Sequence, residues 1–148
     1  MVEIAASVIG LTAFGTEVAT HLYRFGSNVS SARKDTARIG DRITDYVTIL
    51  DILEGILDED AAFVSNEAET MIDRLCDQST DLFSDIEDLL PNMQEGYGRD
   101  KLSLKDKLAW NFRKPRVELL LAQIEYIKSN ILLLVVTILL GKKMRSHK

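Results

Sequence analysis

Ile39, Ile43, Tyr46, Leu50, Leu53 and Leu57 succeed one another at intervals of 4, 3, 4, 3 and 4 residues. Only an α-helix returns to one face at that rhythm, because a strand brings round every second side chain. Asp41, Asp45, Asp51 and Glu54 fall between them, on the face left to solvent. Three further segments pass the same test. Residues 4–25 repeat Ile4, Val8, Leu11, Phe14, Val18, Leu22 and Phe25, and residues 68–89 repeat Ala68, Ile72, Leu75, Ser79, Leu82, Ile86 and Leu89. Residues 117–138 repeat Val117, Leu120, Leu121, Ile124, Ile127, Ile131, Leu134 and Ile138. No alternating stretch competes, so the expected fold is all-α.

Punctuation between these segments sets the expected boundaries. Gly26 and Ser27 end the first helix, and the acidic run Asp58, Glu59, Asp60 ends the second. Ser65 starts the third as an incomplete capping box, with Glu67 and Glu69 at the positive end of its dipole, and Pro91 stops it. Residues 92–100, with Gly96 and Gly98, read as the longest loop. The basic stretch 101–114 carries Leu102, Leu104, Leu108, Trp110 and Phe112 and reads as a short helix. Pro115 suits the first turn of the last helix; Gly141 with Lys142, Lys143 and Arg145 suits its end, leaving a tail from about residue 142. Helices with one apolar stripe must bury it against one another. The expectation is therefore an up-and-down bundle of four long helices plus one short helix, residues 1–148 forming a single domain. The last helix turns apolar all round after Asn130, which places it at the centre.

At 46% hydrophobic and 28% charged residues, the 148-residue chain has the makings of one globular core and is not disordered. The net charge of −5 hides an asymmetry: +1 over residues 1–40, −14 over residues 41–95 and +8 over residues 96–148. Such halves attract within a fold or between stacked copies. Nucleic acid is a poor partner for an acidic chain without interleaved basic and aromatic residues. The lone Cys76 excludes an internal disulfide and Cys-rich zinc sites, and is expected to be a small buried apolar group. No basic segment precedes the first apolar stretch, so the expectation is an intracellular, reducing location.

Catalysis asks for a tuned acid, base or nucleophile, and the candidates are few. His21 follows Glu17 by one turn, and this pair is expected to be solvated or locally hydrogen-bonded; His147 lies in the terminal tail. Gly-rich phosphate loops, nucleophile elbows and calcium loops are all missing from the sequence. The reading is a non-enzyme with no cofactor and no metal. Two segments invite a membrane reading. Residues 129–141 carry no charge, but thirteen helical residues span only about 20 Å of an approximately 30 Å hydrocarbon core, which favours a buried central helix over a tail anchor. Residues 4–23 hold a single acidic side chain, Glu17, and the small residues Ala5, Ala6, Ser7, Gly10, Ala13 and Gly15, which permit close packing between copies.

The opening residues 1–11 (MVEIAASVIGL), residues 21–26 (HLYRFG) and residues 107–112 (KLAWNF) before a Leu-rich helix resemble the HeLo-like N-terminal domain of fungal NLR-like (STAND) receptors. That resemblance spans essentially the whole chain. It implies a cell-death or innate-immune effector bundle, related to the HeLo domains of heterokaryon incompatibility, acting by oligomerisation and membrane targeting through its N-terminal helix. It implies self-association on activation, membrane lipids as a partner, and a downstream nucleotide-binding domain if the chain is part of a longer receptor. A cytoplasmic resting location, with movement to the membrane on activation, goes with it. Carried onto this chain, the resemblance makes Glu3, Ile4, Val8, Gly10, Leu11, Phe14 and Gly15 the membrane-insertion candidates. Lys101, Lys105, Lys107, Arg113, Lys114 and Arg116 are the candidates for holding an anionic surface. The competing expectation is a soluble adaptor bundle that signals by helix packing alone.

Overall fold

The computed structural model describes residues 2–90 and 104–146, with side chains from 3–90 and 108–146. Four long helices make up the described chain: α1 (Val2–Asn28), α2 (Arg33–Glu59), α3 (Asn66–Leu89) and α4 (Leu104–Ser146). Single 3-10 turns at Ser30–Ala32 and Ala61–Phe63 link α1 to α2 and α2 to α3. There is no strand among the described residues, and the protein is an all-α helical bundle. The expected loop at residues 92–100 lies outside the described residues.

Each stripe read from the spacing is the face that packs. All six α2 positions from Ile39 to Leu57 are buried, as are Val8, Leu11, Val18, Leu22 and Phe25 of α1. On α3, Ile72, Leu75, Ser79, Leu82 and Ile86 are buried, while Ala68 and Leu89 pack partly covered at its edges. Ser65 caps α3 as expected, its side-chain oxygen accepting from the Ala68 N–H at 3.1 Å. Leu90 is extended (φ −93, ψ 143), the conformation forced on a residue that precedes proline.

The helices pack in a ring. α1 lies against α2 and α3, and α4 lies against the same two; α1 and α4 face each other across one diagonal, α2 and α3 across the other. Side chains alone bridge the diagonals. Phe25 of α1 meets Trp110 of α4 with ring centroids 5.2 Å apart, and Tyr46 of α2 meets Phe83 of α3 at 6.0 Å. Tyr46 and Ser79 share a buried hydroxyl–hydroxyl bond of 2.7 Å. The Ser79 hydroxyl donates its own proton to the Leu75 carbonyl at 2.8 Å, so Tyr46 is the donor to Ser79.

Glycine brings α1 and α2 close. A Cβ at Gly26 would sit 2.1 Å from Oγ1 of the buried Thr36 and 3.2 Å from the Arg33 Cα. Gly15 is covered by Val47 and Phe83 in the same way.

Three expectations are corrected. The short helix at 101–114 and the helix beginning at Pro115 are one helix, α4, with Pro115 inside it. Trp110 and Val117 lie two turns apart on the same buried face, so packing holds both halves in line. Asn111 and Pro115 are exposed, so the hydrogen bond that proline removes is lost where water replaces it. No tail begins near residue 142, and Gly141 is not the helix end. α4 continues to Ser146 because Lys142 pairs with Asp60 at 2.8 Å and the Arg145 guanidinium rests 5.5 Å above the Phe63 ring. α4 is also not central: two helices flank it, and only 28% of its most apolar stretch is buried. Beyond its own helix, the Nδ1 of His21 meets a carboxylate oxygen of Glu87 on α3.

Candidate functional site

α1 carries the first candidate surface. Of the membrane-insertion candidates, Ile4, Val8, Leu11, Phe14 and Gly15 come together on the side turned toward α2 and α3, with Val8 fully buried and Phe14 edge-on to Phe83 at 5.8 Å. Glu3 and Gly10 lie on the outer side, exposed, and Gly10 has open space where a Cβ would be. Ile9, beside Gly10, is 50% exposed.

The outer side of α1 also holds a ladder of hydroxyls. Ser7 donates to the Glu3 carbonyl, Thr12 to Val8, Thr16 to Thr12 and Thr20 to Thr16, all at 2.8–3.0 Å. Each hydroxyl is thus satisfied within its own helix and asks nothing of water.

The anionic-surface candidates divide. Lys101 lies outside the described residues, and Lys105 and Lys107 lie in the first turns of α4 with side chains outside the described set. Arg113 donates to the Leu89 carbonyl at 3.2 Å, and Lys114 pairs with Asp35 at 3.0 Å. Arg116 is exposed. Two of the three described cations therefore already serve to tie α4 to α3 and α2.

The second surface is one that the sequence expectations missed. α4 is long and apolar enough to cross a membrane, and its side away from α2 and α3 exposes Leu119, Tyr126, Leu132, Leu133, Val136, Leu139, Leu140 and Met144. Monomeric proteins rarely leave so continuous an apolar strip open to water. Alongside it, an open groove of about 540 Å³ between α3 and α4 is bordered by Gln78, Asp81, Ala122 and Tyr126. The signal that could have found this surface was present, because a second apolar stripe runs beside the first through residues 119–140.

Titratable chemistry in the interior is sparse. Burial pushes the Tyr46 hydroxyl well above the usual tyrosine range, and pushes the Cys76 thiol up to about 11. Cys76 is buried, as expected. Among the described residues, no group of three or more His, Cys, Asp or Glu side chains is placed to hold a metal ion. No family model, curated protein or solved structure matches this chain.

Proposed function

We propose that this protein is a HeLo-like helical effector domain: an up-and-down bundle, cytoplasmic at rest, that associates with copies of itself and commits α1 to a membrane. Alternation of helix direction follows from the short links at residues 29–32 and 60–65, which leave a helix no room to do other than turn back. The observation that carries the membrane reading is the character of α1. Its apolar stripe packs on α2 and α3, with Phe25 near its end also meeting Trp110 of α4, and its outer face is a ladder of hydroxyls already bonded to their own carbonyls. A helix with self-satisfied polar groups meets the requirement that lipid imposes on any backbone or hydroxyl.

Energetics allow the exchange. For the first four turns of α1, baring Val8 and Leu11 fully, and Ile4 and Phe14 in part, costs about 5–9 kcal/mol at the usual value of an apolar side chain, and an apolar lipid phase returns a similar amount for those side chains.

The test is a lock. A Cβ at Gly15 would stand 2.8 Å from Cγ2 of Val47, which puts the two Cβ atoms in the range of a disulfide. The variant G15C/V47C removes the Val47 methyl that the new Cβ would meet. Oxidised, it is expected to release dye from phosphatidylserine-containing vesicles at least tenfold more slowly than when reduced. Equal release from both forms, or no release by the wild-type chain, overturns the reading. A charge at Leu11 is a poorer test, since Leu11 is buried and its loss would report on folding.

The second reading, a soluble adaptor, draws on the outward face of α4, which suits a partner helix as well as it suits lipid. Partner binding by the oxidised lock without vesicle leakage in either state would favour it.

A further inference from the structure

Leu119, Ala122, Tyr126, Ser129, Leu133, Val136 and Leu140 follow intervals of 3, 4, 3, 4, 3 and 4 along α4, and every one of them is exposed. That is a heptad seam three repeats long, on the side of α4 that no other described helix covers. We infer that a second copy of the chain packs here, α4 against α4 about a two-fold axis.

Three observations select a second copy as the occupant. The first is the spacing itself: a 3-4 alternation matches the packing of ridges from one helix into grooves of another. Within it, large side chains (Leu119, Tyr126, Leu133, Leu140) alternate with smaller ones (Ala122, Ser129, Val136), supplying both knobs and holes. A lipid-facing side needs no such alternation. The second is charge. When identical faces meet about a two-fold axis, a patch of one net sign meets a patch of the same sign, and much of the outer faces of α2 and α3 belongs to a segment of net charge −14. The α4 seam carries no charged residue at any of its seven positions, and residues 129–141 carry none at all. Asp81 borders the groove beside Tyr126, so an anionic bilayer laid on this side would meet a carboxylate. The third is size. Leu119, Tyr126, Leu133, Val136 and Leu140 are each half or more exposed along roughly 32 Å of helix, an apolar strip that an identical strip on a second copy covers end to end.

The inference deepens the proposed function and rests on its self-association for purpose. α1 lies across the diagonal from α4, so pairing through α4 leaves α1 uncovered in both copies. Association and release of α1 therefore do not compete for the same surface.

Sedimentation of the full chain from about 1 to 100 μM is the test, in a range where contacts of this size are populated. The wild-type chain is expected to approach twice its 16.6 kDa mass. L133E/L140E changes two exposed residues, so its circular dichroism and melting should match wild type, while its dissociation constant rises at least about 100-fold. A wild-type chain that stays at 16.6 kDa throughout overturns the inference. So does a variant that is folded and still pairs. If the monomeric wild type floats with uncharged phosphatidylcholine vesicles and L133E/L140E does not, the seam is a lipid face and the inference is overturned. The G15C/V47C lock reads a different event, since it reports leakage and leaves mass in solution untouched; either idea can fail alone.

Discussion

Removing the Ser79 hydroxyl should destabilise the bundle more than removing the Tyr46 hydroxyl, and removing both should cost less than removing that of Ser79 alone. Both residues are fully buried, and Tyr46 donates to Ser79 while Ser79 donates to the Leu75 carbonyl. In Ser79→Ala the Tyr46 O–H is left in the core without its acceptor, at about 1–3 kcal/mol for a stranded buried polar group. In Tyr46→Phe the Ser79 oxygen loses one incoming proton but keeps its own outgoing bond, which costs about 0.5–1.5 kcal/mol. In the double variant no polar group is stranded, and the ring still packs against Phe83, so the total falls to about 1 kcal/mol. The coupling is therefore of order 1–2 kcal/mol and favourable. For a chain of this length, about 2 kcal/mol corresponds to a Tm loss of about 4–8 °C. Thermal and urea unfolding of the four proteins, read by circular dichroism, measures the cycle. Strict additivity, or a Tyr46→Phe cost exceeding that of Ser79→Ala, would refute the assigned direction of the bond.

Two other expectations follow from close packing. Gly26→Ala should lower stability by about 1–3 kcal/mol, because the new methyl meets the Thr36 hydroxyl and the Arg33 backbone; a melting curve superimposable on wild type would contradict the close approach. The Cys76 thiol, raised by burial to about 11, should react with a thiol reagent at pH 8 only on unfolding, measured by labelling with and without urea. Its folded value lies above its unfolded one, so its contribution to stability is complete below the unfolded value and is lost as pH rises toward about 11. The fall in stability over that alkaline range should be shallower in Cys76→Ala.

Periodicity read the buried faces well wherever a helix had one apolar and one polar side. On α2 every position between Ile39 and Leu57 that the spacing selected is buried, because Asp and Glu occupied the alternatives. On α4 the same reasoning found the inner face but misjudged the setting, since a helix apolar on both sides gives no contrast from which to choose. All-round apolarity points to a central position, whereas the fold covers one side of α4 and leaves the other open among the described residues. Pro115 was read as a beginning because local rules favour it there, and packing of Trp110 and Val117 on one face overrode them. The His21 contact with Glu87 spans 66 residues, and no local spacing signals it. The candidates on α1 were legible as a segment, but that Glu3 and Gly10 point away from the other five depends on where α2 and α3 lie.

The turn at residues 29–32 ties α1 to α2 by a leash of four residues. Two helices so tethered find each other again in microseconds, faster than most collisions with a third body at cellular concentrations. A separation of the two is therefore erased almost as soon as it occurs, and a lasting one asks for a competing surface already in contact when the tether slackens.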